Sequence, residues 1–281
     1  MINNIAYFPS QCAQNSRPVT AAVLDYLQSS GIQTQENSLD SDAALIWSVL
    51  WSGRMAANRQ IYEHYRAQNK PVIVLEIGAL YRGRTWKVAV NNITREGYYG
   101  HEQDLDWDRP KKLQISRAIK IDGDSGVVIA AQHDRSLQVQ GINNMTDWVL
   151  DQIQAVRQYT DRAIKVRPHP RCRLDLARLP RDVVIEQPRP VANTYDSFDM
   201  RFDYHAVVNH NSGPGIQAAL AGCRPIVHES SLASPVGIDI ANIEQPYDRD
   251  LDTWLVQICH TEYTMDELHA GTWLKRIQAA L

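Results

Sequence analysis

Apolar positions in this chain gather into short, dense runs. They occupy residues 5–8, 43–50 and 72–75 in the first half, and 127–131, 163–166, 183–185, 206–208 and 225–227 in the second. Runs this short, bounded by glycine, proline or polar clusters, predict strands buried on both faces. Helical spacing fills the intervals. Residues 19–27 form a helical pattern that stops at Gly31, and 55–68 form another before Pro71. Further helices are predicted over 145–159 and 216–221. The tail, 265–281, reads as helical, with Leu268, Trp273, Leu274 and Ile277 available to pack. Short buried strands alternating with helices predict parallel sheets covered on both sides.

The pattern divides near Asp122-Gly123-Asp124-Ser125-Gly126, whose composition suits a linker. Two Rossmann-like, doubly wound α/β domains are therefore expected, 1–124 and 125–281, with the tail helix packing back on the first. Such domains face a cleft and collect ligands outside the carboxyl ends of their strands. The loops that follow the strands are where chemistry is expected.

Composition narrows the classes. Hydrophobic residues make up 44% and charged residues 22%, which excludes a disordered or fibrous chain. No apolar run approaches the ~20 residues that span a bilayer, and the N-terminus lacks a secretory pattern. Cys12, Cys172, Cys223 and Cys259 form no CxxC pair, which argues against a disulfide framework and fits a reducing cytoplasm. The net charge of −3 hides two basic stretches. Residues 81–120 hold nine Lys/Arg against five Asp/Glu, and 157–189 hold nine against four. They read either as local polyanion sites or as clustered surface charge.

Four loops carry candidate chemistry. In Asn209-His210-Asn211-Ser212-Gly213-Pro214-Gly215, small residues open a helix with Pro214 in its first turn, and free N–H groups there with the Ser212 hydroxyl suit a phosphate. It matches neither a Walker loop nor GxGxxG. In Lys165-Val166-Arg167-Pro168-His169-Pro170-Arg171, two prolines hold the chain extended around one histidine, with arginines suited to phosphate oxygens. Gln132-His133-Asp134 offers donor contacts, and His133 and Asp134 an acid or base. In the first half, Glu76 ends a strand and is read either as a general base or as the partner of Arg82 or Arg84. The loop after it carries Tyr81, Arg82, Arg84, Trp86 and Lys87, an arginine–aromatic mixture that suits nucleic acid. Asp104-Leu105-Asp106-Trp107-Asp108 fails as a calcium loop because Arg109 and Ile115 occupy its glycine and glutamate positions. Without close histidine pairs, no metal is expected.

The second half resembles the donor-binding half of GT-B glycosyltransferases. The resemblance rests on Asn211-Ser212-Gly213 through Gln217 to Val227 and on Arg167-Pro168-His169-Pro170. Where many such enzymes have a glutamate, this chain has Gln217, and Glu229 is the substitute expected for a ribose contact. Over most of its length the chain is similar to virally encoded DNA glycosyltransferases. The segments that carry this are residues 47–55, 75–87, 132–134, 167–171 and 263–273.

This resemblance implies sugar transfer from a nucleotide sugar, UDP-glucose or similar, to the hydroxymethyl group of 5-hydroxymethylpyrimidines in phage DNA. No cofactor is then required. It implies Glu76, Asp134 and His169 as catalytic groups. Donor contacts would come from Gln132, His133, Arg167, Arg171, Asn211, Ser212, Gly213 and Glu229, and DNA contacts from Arg82, Arg84, Trp86 and Lys87. Two alternatives stand beside it: a capsule or envelope polysaccharide transferase or nucleotide-sugar epimerase, and a non-catalytic nucleotide- or DNA-binding module.

Overall fold

The dense apolar runs become the centres of two separate sheets in the computed structural model, which describes residues 2–118, 125–139, 141–192, 198–199 and 203–281. Residues 122–124 of the expected linker lie outside the described residues. The chain forms two compact units. Unit 1 takes residues 1–115, 135–137 and 256–281, and unit 2 takes 116–134 and 138–255.

Unit 1 begins β1 (Asn4–Tyr7), α1 (Arg17–Ser29), β2 (Gln33–Glu36), β3 (Ala43–Trp47), α2 (Asn58–Ala67), β4 (Val72–Ile77), β5 (Trp86–Val90) and α3 (Arg109–Lys112). Unit 2 follows with β6 (Val127–Ala130), α4 (Met145–Arg157), β7 (Ile164–Arg167), β8 (Val184–Ile185), β9 (Ala206–Asn209), α5 (Gly213–Leu220) and β10 (Arg224–Val227). Helix α6 (Leu251–Cys259) begins in unit 2 and ends in unit 1, which β11 (Glu262–Tyr263), α7 (Met265–His269) and α8 (Thr272–Ile277) complete.

The sheet of unit 1 runs β11-β5-β4-β3-β1-β2. Strands β1 to β4 are parallel, and β5 runs antiparallel to both of its neighbours, β4 and β11. Alternate residues of β3 face opposite sides, which is why the whole strand is apolar. Leu45 and Trp47 pack with Val19, Val23 and Leu27 of α1 and with Leu268, Trp273 and Ile277 of the tail. Ala44 and Ile46 pack with Ile61 and Tyr65 of α2. Trp273 is fully buried, so truncating it to alanine is expected to cost about 3–5 kcal/mol. The tail is two helices, not one. Gly271 sits between them at φ 69°, and the Tyr26 ring occupies the space a Cβ would need.

The sheet of unit 2 runs β10-β9-β6-β7-β8 with all strands parallel. Counted within the unit this is 5-4-1-2-3, the doubly wound order whose switch point lies between the first and fourth strands, here β6 and β9. Met145, Val149, Ile153 and Val156 of α4 cover one face, and Ala218 of α5 covers the other with Val128 and Val207. Gly215 lets α5 sit close to β10, since a Cβ there would come within 2.9 Å of Val227 Cγ1.

Two strands escape the apolar pattern. Strand β2 is Gln-Thr-Gln-Glu on the sheet's edge, where side chains face water. Strand β5 contains Trp86 and Lys87, expected in a loop. Helix α2 starts at Asn58, because a short 3-10 helix, Gly53–Ala57, takes the residues before it.

Candidate functional site

Around the switch point of unit 2, the loops after β6 and β9 are locked by amides. Gln132 and Asn211 are both buried and bond reciprocally. Gln132 Nε2 donates to Asn211 Oδ1, and the Asn211 N–H donates to Gln132 Oε1, both at 3.1 Å. Asn211 Nδ2 spends its two protons on Gln138 O at 2.8 Å and Ser230 Oγ at 2.9 Å. The amide donors of Asn211 are thereby used up. Gln132 and Asn211, expected as donor contacts, hold these loops together. Asn209, the last residue of β9, does the same, donating to Ala130 O and accepting the Ser212 N–H, each at 2.8 Å.

Ser212 precedes α5 in extended backbone and makes no side-chain cap. Pro214 supplies no N–H, and the Gly215 N–H donates to Ser212 O at 3.2 Å. The half-buried Ser212 hydroxyl accepts from Asn209 Nδ2 at 3.1 Å and donates to Asn209 Oδ1 at 3.2 Å, and it stands with the Gly213 N–H at this helix start.

On the other side of β6, His133 and His169 meet edge to face with ring centroids 5.4 Å apart. His169 Nδ1 accepts the Arg171 N–H at 3.1 Å, which places the imidazole proton on Nε2 as a donor. Asp134 is exposed, with Oδ1 3.3 Å from His133 Nδ1. It also lines a cavity of about 380 Å3 with Asn143, Asn144, Thr146, Arg173 and Asp175. Arg171 is exposed, whereas Arg167 is buried and turned toward β8. Its guanidinium donates to Asp199 O and lies 3.7 Å from Glu186. Burial would raise the Glu186 carboxyl, but hydrogen bonds from Tyr204 and Lys165 bring it below the usual range, so it stands as a charge partner for Arg167. Glu229 is exposed after β10, next to His228.

Sequence reasoning passed over His210. It is buried, stacked on His228 at 4.7 Å and set against Trp148 at 6.4 Å. Burial, with His228 adding to it, pushes its pKa down to about 4. Its position directly after β9 was the available signal.

In unit 1, Glu76 lies half-buried near the carboxyl end of β4. Its Oε2 accepts the Ser48 hydroxyl at 2.6 Å and its Oε1 the Ile77 N–H at 2.9 Å. Lys87 stands opposite Glu76 in the register and opposite Glu262 on its other side. It is buried, so it does not present its ammonium to solvent as a DNA contact would. Burial lowers its pKa, and Glu262 and Glu76 oppose that shift. Trp86 is half-buried against the core.

Glu262, also passed over, is fully buried and accepts the Ala79 and Leu80 N–H groups at 2.7 and 3.1 Å and the Thr85 hydroxyl at 2.7 Å. It fixes the loop that carries Arg82 and the exposed Arg84, whose guanidinium lies 4.5 Å over the Tyr81 ring. The distance in sequence between Glu262 and this loop left no local signal. Among the described residues, no group of three or more His, Cys, Asp or Glu is placed to hold a metal ion, and no helix is long and apolar enough to cross a membrane.

No protein-family model and no curated protein matches this sequence. Solved structures do. One is the KpsC β-Kdo 2,4 transferase of Thermosulfurimonas dismutans, at a TM-score of 0.57 and 12% identity, covering 96% of this chain and 98% of that one. A second is the KpsC β-Kdo 2,7 transferase of the same organism, at 0.51 and 12%, covering 97% and 99%. The chain thus has the two-domain α/β fold of GT-B glycosyltransferases, and nothing among these neighbours is a DNA glycosyltransferase.

Proposed function

We propose that this protein is a glycosyltransferase that takes a sugar from a nucleotide-sugar donor and joins it to an acceptor hydroxyl, with His169 meeting the leaving group and Glu76 acting as the base. The observation that carries the reading is His169, at the carboxyl edge of a doubly wound sheet, with its tautomer fixed so that Nε2–H is a donor. In the transfer, the acceptor oxygen bonds to the anomeric carbon. The bond from that carbon to the donor's phosphate oxygen breaks with its electron pair on that oxygen, which leaves with the nucleotide, and the hydroxyl proton passes to the Glu76 carboxylate. The developing charge is met by His169, by Ser212 and by the N–H dipoles at the start of α5.

The acceptor reading favoured here is a glycan of a capsule or envelope polysaccharide. It is supported by a likeness over nearly the whole chain to transferases named for Kdo linkages. A second reading, hydroxymethylated DNA, is supported by the Arg82–Arg84 loop, whose backbone Glu262 holds in place.

One experiment tests both. The protein is incubated with UDP-glucose, GDP-mannose and a CMP-activated Kdo, each with a Kdo-terminated oligosaccharide or with DNA containing 5-hydroxymethylcytosine, and the products are weighed. A mass gain on the oligosaccharide, formed roughly 100-fold more slowly by His169→Ala, is the expected result. A gain on DNA alone selects the second reading. Intact donors and unchanged acceptors throughout would overturn the enzyme assignment.

A further inference from the structure

At the end of β3 the backbone adopts a conformation that glycine takes at least cost. Ser48 has φ +66°, in the left-handed region that L side chains resist. The residue is nonetheless a serine, and its hydroxyl is engaged twice. It donates to Glu76 Oε2 at 2.6 Å and accepts the Leu50 N–H at 3.0 Å. The Ser48 N–H meanwhile donates to Leu75 O at 2.7 Å, which ties it to the residue before Glu76. Because the Ile77 N–H holds the other carboxylate oxygen, Glu76 is fixed at both ends of its carboxylate.

We propose that Ser48 is a positioning residue for Glu76, holding the carboxylate in the orientation from which it takes the acceptor's proton. This rests on the reading of Glu76 as the base. A serine kept in a conformation that disfavours it, where its hydroxyl reaches a half-buried carboxylate at a strand end, marks a position set by function more than by stability. The surroundings agree. Glu262 is buried and spends both of its oxygens on the neighbouring loop, whereas Glu76 is the partly exposed carboxylate of the two. Lys87, opposite both, supplies positive charge to Glu76 from the interior side.

Ser48→Gly separates the two roles, because glycine relieves the positive φ while deleting the hydroxyl. Wild type, Ser48→Gly, Glu76→Gln and the double variant are compared for transfer with the donor and acceptor pair found active in the panel above, and for their urea midpoints. The expected result is a Ser48→Gly protein that unfolds near the wild-type midpoint. Its kcat falls roughly 10- to 100-fold with KM nearly unchanged, as misplacement of a reacting group produces. In the Glu76→Gln background, the same change has almost no further effect, because the pair acts as one unit. Ser48→Ala, which lacks the hydroxyl but keeps the strain, is expected to lose as much kcat, so the test survives a Ser48→Gly protein that folds poorly.

Wild-type kcat in both Ser48 variants would overturn the proposal, as would a Ser48→Gly effect that multiplies in full with that of Glu76→Gln. Undiminished turnover in Glu76→Gln would overturn the base assignment and this proposal with it. An inactive wild type across the panel would overturn the glycosyltransferase reading itself.

Discussion

At the carboxyl edge of unit 1 the inward-facing groups are ionic: Glu76, Lys87 and Glu262, stacked across three neighbouring strands. Around β6 and β9 of unit 2 the corresponding groups are neutral: the Gln132–Asn211 amide pair, Asn209, Ser212 and the buried His210. Both edges tie loops to strands, but by different means. A buried carboxylate holds its loop only with a cation beside it, because an unpaired buried charge is costly. A buried amide pair holds its loops without creating a field, and so does not repel an incoming anion. The proposed function draws on this difference: Glu76 takes the acceptor's proton, and the neutral groups around β6 and β9 leave room for the donor's phosphates.

The sharpest way to break that comparison is to remove the charge from Glu76. Glu76→Gln keeps the shape and cannot take a proton, but its single amide oxygen can accept only one of the Ser48 hydroxyl and the Ile77 N–H, so turnover is expected to fall roughly 100- to 10,000-fold while the fold loses only about 1 kcal/mol in urea unfolding. A variant with ordinary kcat would show that the ionic edge of unit 1 serves structure alone.

Lys87 tests the structural side of the same cluster. Lys87→Met strands Glu262 inside unit 1 without its cation, and a loss of about 3–5 kcal/mol in urea unfolding is expected. Adding Glu262→Gln is expected to recover part of the loss, since the stranded charge is then gone. Equal midpoints for Lys87→Met and wild type would show that the lysine is not the partner that Glu262 needs.

These residues also mark where the sequence stops being readable. Strands β3, β4, β6 and β9 were legible because burial on both faces makes their central positions apolar, as in the Ala-Ala-Leu-Ile-Trp of β3, with polar residues only at the carboxyl ends of β4 and β9. Strand β5 was not, because Lys87 is polar and its burial depends on Glu262, 175 residues later in the chain. The polar loops after β6, β7 and β9 could be picked out as strand ends, and the structure brings His133 beside His169 and Gln132 beside Asn211. The destination of each side chain could not be read. Arg167 faces Glu186 and Asp199 rather than an open loop, and the arginine-rich string alone carries no sign of that. Ser48 was unreadable for another reason, since nothing in a sequence announces a positive φ at a residue other than glycine.

On the unit 2 side, His169→Ala removes the fixed Nε2–H donor. Loss of one donor aimed at a developing charge typically costs ~100-fold or more in rate. A fall near that lower figure is expected, with stability little changed because the ring is only half-buried. The measurement is nucleotide release from the active donor. Wild-type release by the variant would move the leaving-group role away from the β7 loop.

The smallest effect concerns His210 and the neutrality of the unit 2 edge. Burial holds this imidazole neutral, with a pKa of about 4 against 6.5 for an unperturbed histidine, and His228 on its face opposes a second positive charge. Between those two values the unfolded chain binds a proton that the folded chain refuses. Stability therefore declines as pH drops from 6.5 toward 4, by at most ~1.4 kcal/mol per pH unit from this one group, and is fully retained above 6.5. His205, buried in the same unit and lowered mainly by burial, acts in the same direction, so the wild-type slope alone does not isolate His210. The difference between wild type and His210→Asn does. Urea unfolding of the two proteins at intervals from pH 4 to pH 7, with hydrogen exchange in β6 and β9 reporting on unit 2, is expected to show a shallower pH dependence in the variant. Parallel curves would mean that His210 binds its proton equally in the folded and unfolded states, and that the edge around β9 is not the neutral surface that sets unit 2 apart from unit 1.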